Sequence, residues 1–260
     1  MHVSRTLSEW QARRRAMCER KIGFVPTMGA LHEGHASLVR RSREENDTTV
    51  VSIFVNPTQF NNADDLAGYP RPLENDLDLL LDLGADEILV PSAQELYPNG
   101  YRFSIQAPDL TNTMEGKSRP GHFEGVMTIV MKLFHLVLAD RAYFGEKDFQ
   151  QLQVVTAMAK EFLIPTEVIP CPTVREKSGL AMSSRNTRLS PEARERAALI
   201  ARTLLTATTA EAAAATLTSH DFTVDYVEEH WNRRLAAVFL EGVRLIDNVP
   251  LTEVPHASLP

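Results

Sequence analysis

The run Thr48-Thr49-Val50-Val51-Ser52-Ile53-Phe54-Val55 constrains the fold more than any other stretch of this 260-residue chain. It is rich in β-branched residues and nearly all apolar, so it predicts a strand covered on both faces. Asn56-Pro57 stops it, since proline cannot donate to a sheet ladder. Shorter runs of the same kind occur at 22–25 before Pro26, at 87–90 before Pro91, at 141–144 and at 166–169. Between them the spacing predicts helices over 7–18, from Gly34 or His35 to about 45, and over 73–83 with Gly84 as terminator. Two more are expected over 123–138 and over 148–162, the last with Asp148 at its N-cap. Strand and helix alternate, which is the pattern of a doubly wound α/β domain: a Rossmann-like parallel sheet with helices on both faces, expected over 1–172.

The composition shifts after Pro170-Cys171-Pro172. From Pro191 the chain is alanine-rich and helical, and strands are expected at 223–227, 235–239 and 243–246. Residues 173–260 therefore predict a smaller C-terminal α+β domain. The chain is 43% apolar and 23% charged, a globular composition, and it has no apolar run of the roughly 18 residues that cross a bilayer. Met1 to Arg20 is charged and polar rather than a signal peptide, so a cytoplasmic protein with no membrane partner is expected. Cys18 and Cys171 have neither disulfide nor metal spacing. A net charge of −7 argues against nucleic acid as a partner. The basic residues are scattered through motifs, which fits a local anionic ligand.

Three short motifs carry the chemistry. In Val25-Pro26-Thr27-Met28-Gly29-Ala30-Leu31-His32-Glu33-Gly34-His35 an apolar run ends, a glycine turn follows, and two histidines stand three apart where a helix begins. They share a face there, and the free N–H groups of a helix start favour anions. His-Glu-Gly-His is not the zinc-protease spacing of two histidines four apart. Gly145-Glu146-Lys147-Asp148 lies between a strand and a helix, with Lys147 placed to reach a phosphate. Met182-Ser183-Ser184-Arg185 offers two hydroxyls and a guanidinium in a loop that can wrap a triphosphate. Gln59 and Gln151 both donate and accept hydrogen bonds, which suits a hydroxylated acid. Val126, Ile129 and Val130 are core positions by default, with one edge of that core placed to line a pocket.

Together these stretches resemble the pantothenate synthetase (pantoate–β-alanine ligase) family. The likeness includes Ser52 to Pro57 with Gln59-Phe60, Tyr69-Pro70-Arg71, Tyr97 to Gly100, Ser118 to Phe123, Phe144 to Gln151, Leu180 to Asn186 and Arg244 to Asn248. The resemblance implies a class I aminoacyl-tRNA synthetase-like nucleotide domain. It implies ATP-dependent condensation of pantoate with β-alanine through a pantoyl adenylate, releasing AMP and pyrophosphate. It assigns ATP to Pro26, Met28 through His35, Gly145 to Asp148, Val174 and Met182 to Arg185. His35, His32, Lys147, Ser183, Ser184 and Arg185 would act in catalysis, with His35 at the position of a proton donor. Pantoate and β-alanine would be held by Gln59, Gln151, Asn56, Met28, Val126, Ile129 and Val130. Magnesium and a homodimer are implied as well, with Asp76 as the candidate metal residue. One departure stands out: between Tyr226 and Arg244 the chain looks contracted, with Glu228 to Asn232 in place of a longer connection. Two alternatives are another nucleotidyltransferase of the same superfamily and a non-catalytic nucleotide-binding protein.

Overall fold

The structure is a computed structural model and describes residues 1–251. The chain forms two compact units: Met1–Val174 with Met182–Ser184, and Arg175–Ala181 with residues 185 onward. It crosses between them three times rather than once at 172/173.

Six strands form a parallel sheet in the first unit: β1 (His2–Ser4), β2 (Ile22–Thr27), β3 (Thr48–Ile53), β4 (Glu87–Leu89), β5 (Arg141–Gly145) and β6 (Glu167–Cys171). Their order across the sheet is β1-β4-β3-β2-β5-β6. Successive residues of these strands enter different apolar clusters. Phe24, Val50, Leu89 and Ala142 pack with Trp10, Leu133 and Val154, whereas Val25, Val51, Ile88 and Tyr143 pack with Leu38, Val39 and Leu80. Both faces are therefore covered. Helices Leu7–Arg15, His122–Val137 and Phe149–Glu161 lie on one, and Glu33–Glu45 and Leu73–Asp82 on the other. The doubly wound class expected from the alternating pattern is the one observed.

One local expectation needs correction, and one strand was not expected. Pro26 does not end its strand: β2 continues to Thr27, and Pro26 pairs with Ser52 of β3. On its other side β2 is paired with β5 only at Gly23 and Phe24, so a missing N–H at Pro26 leaves no rung of that ladder unmade. Strand β1, beside β4 at the sheet edge, spans three residues, too few for a legible hydrophobic pattern.

In the second unit, helices Pro191–Ala197, Leu199–Thr206 and Ala210–Ser219 accompany an antiparallel sheet of β7 (Thr223–His230), β8 (Arg233–Leu240) and β9 (Val243–Pro250). The segment that looks contracted in the sequence is a complete hairpin. Glu228 to His230 extend β7, and Trp231 and Asn232 make the turn with φ of 51° and 55°. Positive φ at both central residues matches the right-handed twist of the two strands.

One close approach fixes the geometry near the sheet's carboxyl edge. Helix His122–Val137 lies against the turn Pro57–Gln59 so tightly that a Cβ on Gly125 would stand 2.4 Å from the Thr58 carbonyl oxygen and 2.6 Å from the Gln59 nitrogen. Both obstacles are backbone, which cannot swing aside. Gly125→Ala is expected to destabilise the protein by about 1–3 kcal/mol, read from denaturant unfolding. An unchanged midpoint would show that the helix and the turn separate freely.

Candidate active site

Sheet order reverses between β2 and β5. From β2 the chain runs outward through β3 and β4, then returns to place β5 and β6 on the other side. Pairing of β2 with β3 persists to Thr27–Ile53, but pairing with β5 stops at Phe24–Ala142, so a crevice opens between β2 and β5 at their carboxyl ends. Open α/β sheets bind ligands at such a switch point. The segment from Met28 to His35 follows β2 at this edge, and the short helical turn Glu146–Asp148 follows β5.

The first segment is held by side chains distant in sequence. Thr27 donates its hydroxyl to the Ser52 carbonyl at 2.7 Å and accepts the Gly29 N–H at 3.2 Å. Gly29 and Ala30 take φ of 77° and 50°. A side chain at Gly29 would meet Asp76 Oδ2 at 2.9 Å and Ile53 Cγ2 at 3.1 Å. Asp76, only 3% exposed, accepts the Ala30 N–H at Oδ2 (2.8 Å) and the Leu31 N–H at Oδ1 (2.7 Å). Burial pushes its pKa up, and the two N–H groups pull it back toward the ionised form. Both oxygens are thus engaged in bracing the turn. This is a different task from the metal ligation expected of Asp76. Among the described residues no group of three His, Cys, Asp or Glu side chains is placed to hold a metal ion.

His32 is the N-cap of helix Glu33–Glu45, and the two histidines cap that helix between them. His32 Nδ1 accepts the Gly34 N–H at 3.1 Å, and His35 Nδ1 faces the His32 N–H at 3.4 Å. An imidazole whose Nδ1 accepts is neutral and carries its proton on Nε2. The rings lie 4.2 Å apart. Desolvation first, and the positive charge of Lys147 second, bring His32 down to about 4 against the opposing effect of Asp148. Desolvation, His32 and Lys147 bring His35 to about 3. At neutral pH the pair therefore offers two Nε2–H hydrogen-bond donors rather than acidic protons. Lys147 adds a cation whose field reaches both rings, and its Nζ lies 3.8 Å from Asp148.

Gln59 and Asn56 form a second, buried cluster, 7% and 1% exposed. Asn56 Nδ2 donates to Gln59 Oε1 at 3.0 Å and to the Gly125 carbonyl at 3.1 Å. Gln59 Nε2 reaches Met28 Sδ at 3.0 Å, which ties this cluster to the turn after β2. From the other side His122 donates Nδ1–H to the Gln59 carbonyl at 2.8 Å, with Arg119 Nη2 at 3.4 Å from the same oxygen. His122 is buried, which lowers its pKa to about 4.

The remaining predicted residues fall out unevenly. Gln151 is half-buried. Its neighbour Gln150 is the engaged one, bonding Glu115 N, Leu110 O and Thr113 O at 3.0, 3.0 and 3.1 Å. Met182 donates its N–H to the Val174 carbonyl at 3.0 Å, and its Cβ lies 3.8 Å from where a Gly34 Cβ would be. The Ser-Ser loop thus begins beside the histidine turn, with Ser183 and Ser184 in the same unit and Arg185 counted in the other. Gly145 has open space where a side chain would project. Glu33 is exposed and its carboxylate pairs with Arg40, so it offers a ligand only its backbone N–H. Asp148 occupies the N-cap of Phe149–Glu161 without a side-chain cap bond. Val126, Ile129 and Val130 are all buried in the main core. Reading of the sequence missed Thr27, Tyr97, His122 and Arg119, which support the site from behind. The signal for the last two was present in Ser118 to Phe123, a stretch singled out with no role attached.

A doubly wound sheet with a histidine-capped helix and a lysine turn at its switch point has the form of a nucleotide-binding α/β protein. Comparison with known proteins names the family. The model of the family Pantoate-beta-alanine ligase matches residues 1–250. The pantothenate synthetase of Bdellovibrio bacteriovorus is 48% identical over 249 residues, covering 96% of this chain and 99% of that one. The pantothenate synthetase of Legionella pneumophila is 49% identical, covering 95% and 99%. A Francisella tularensis pantoate-beta-alanine ligase crystallised with β,γ-ATP and β-alanine superposes with a TM-score of 0.92 at 40% identity, over 96% of this chain and 98% of that one. The Thermus thermophilus pantothenate synthetase gives 0.89 at 41%. The chain belongs to the pantoate–β-alanine ligase family.

The histidine chemistry has a direct check. Unfolded histidine titrates near 6.5, whereas His32 and His35 do so at about 4 and 3, so the folded protein binds fewer protons between those values. Their contribution to stability is full above pH 6.5 and is lost as pH falls toward 4. Following the ring Hε1 shifts by NMR, neither residue should titrate between pH 5.5 and 8. A midpoint near 6.5 for either would contradict the capping geometry.

Proposed function

We propose that the chain joins pantoate to β-alanine through an enzyme-bound pantoyl adenylate formed in the crevice between β2 and β5. The overall reaction, ATP-dependent ligation of the two acids, is that of its family. In the first step a pantoate carboxylate oxygen attacks the α-phosphorus of ATP. The new P–O bond forms as the bond to pyrophosphate breaks. In the second, the free amine of β-alanine attacks the adenylate carbonyl. A C–N bond forms, AMP leaves with the electron pair of the broken C–O bond, and the nitrogen gives up its extra proton.

The attacking carboxylate is already ionised, so the first step needs charge and alignment rather than a base. The Nε2–H groups of His32 and His35, the helix N-terminus behind them and Lys147 supply that charge at the phosphates. Ser183, Ser184 and Arg185 belong to the same reading as donors to the leaving pyrophosphate. Gln59 and Gln151 hold pantoate, and Asn56, expected beside them, is bonded to Gln59 and serves to set its amide. Magnesium, implied by the family resemblance, would neutralise charge on the triphosphate when bound, and among the described residues no cluster of three His, Cys, Asp or Glu side chains stands ready to hold it. A cytoplasmic setting and a homodimer complete the reading and rest on the family resemblance; no helix among the described residues is long and apolar enough to cross a membrane.

The observation that carries this proposal is the pair of Nδ1-capped histidines, their rings 4.2 Å apart, at the start of the helix that follows β2 at the switch point. Pantoate-dependent exchange of labelled pyrophosphate into ATP reads the first step alone. Lys147→Met and His35→Asn are each expected to slow exchange by roughly 10²–10³-fold with the fold kept. Exchange near the parent rate in both variants would remove these roles. Absence of exchange in the parent protein would overturn the adenylate.

A further inference from the structure

The Asn56–Gln59 pair has its amide polarity set from outside, and that polarity decides what the site accepts. The Gly125 carbonyl can only accept a hydrogen bond, and it lies 3.1 Å from Asn56 Nδ2. Turning that amide over would set two carbonyl oxygens against each other. On the opposite side, Asn56 Oδ1 accepts the Tyr97 hydroxyl at 2.9 Å and the Thr58 hydroxyl at 3.0 Å. With Asn56 locked, its second Nδ2 proton goes to Gln59 Oε1 at 3.0 Å. Gln59 must then point its NH₂ group the other way, toward Met28 Sδ, and a thioether is a weak acceptor.

Tyr97 is itself held in place. Lys132 Nζ stands 4.2 Å from the centre of its ring and donates to the Leu96 carbonyl, one residue before. Tyr97 is 9% exposed, and Tyr101 packs edge-on against it at 5.9 Å. The hydroxyl is therefore presented to Asn56 by a ring with little freedom.

We infer that Tyr97, clamped by Lys132, is a positioning residue that fixes the Asn56–Gln59 amides so that Gln59 presents N–H donors to the acid substrate. The site then selects for oxygen acceptors, a carboxylate or hydroxyl of a hydroxy acid, and disfavours a ligand that offers a donor at that point. This rests on the proposed pantoate role of Gln59. It adds residues that touch no substrate and act through two intervening side chains.

Tyr97→Phe removes the hydroxyl and keeps the ring. Steady-state rates with pantoate and ATP varied separately are expected to show the pantoate KM raised roughly five- to tenfold, the loss of about one hydrogen bond. The ATP KM should stay within about twofold, and the thermal midpoint should fall by no more than the loss of one hydrogen bond brings. Lys132→Met, which keeps the aliphatic stem and removes the charge, should give the same one-substrate signature at smaller amplitude. A pantoate KM unchanged in Tyr97→Phe would overturn the inference. So would pantoate and ATP constants rising together, since a general structural role predicts that. The parent protein run alongside separates the two levels: pantoate-dependent turnover there keeps the ligase reading standing whatever the variants do, and its absence sinks both.

Discussion

The site depends on one carboxylate. Asp76, on a helix far along the chain, accepts the N–H groups of Ala30 and Leu31 and so fixes a turn whose residues Gly29 and Ala30 have positive φ. Two part-buried N–H groups without an acceptor would each cost up to about 1 kcal/mol, so the turn has reason to keep this shape. Its exit sets His32 as the N-cap of a helix. From there the caps follow, then the neutral rings, then two Nε2–H groups available to a ligand. A charged group serves here by shaping backbone, and the groups that would meet phosphate are mostly uncharged.

Sheet topology decides where that turn can matter. With both faces of the parallel sheet covered, substrate access is left to the carboxyl edge, and only between β2 and β5 do neighbouring strands part early. Gly125 brings a third element to the same edge by letting helix His122–Val137 touch Thr58 and Gln59. In the proposed reading, the groups for phosphate follow β2 and β5, and the amides for the acid follow β3. The two halves meet at Met28, which belongs to one segment and contacts Gln59 of the other.

Much of the fold was legible because it is written locally. Residues 48–53 are buried throughout, as their unbroken run of β-branched and apolar side chains requires. What failed was written elsewhere. Pro26 looks like a terminator until the early parting of β2 and β5 is known. The histidines were legible as anion-site residues, but their neutrality arises from burial and from Lys147, more than a hundred positions away. The bracing role of Asp76 has no local sign, since the N–H groups that its carboxylate accepts lie 45 and 46 residues distant. Of the adjacent Gln150 and Gln151, sequence cannot say which is spent on backbone groups; helix packing decides it. The hairpin at Trp231-Asn232 was not legible locally because its two turn residues, both at positive φ, lack the glycine that usually marks such a turn.

Asp76→Asn tests the central claim most directly, because it keeps the size of the group and replaces one accepting oxygen with a donor that faces an N–H. Pantoate-dependent pyrophosphate exchange should fall by roughly 10²-fold, the scale expected when reacting groups shift by about an ångström. The magnesium concentration giving half-maximal rate should stay where it is in the parent protein. Exchange at the parent rate, or a deficit abolished by added magnesium, would contradict an account in which this carboxylate shapes the turn.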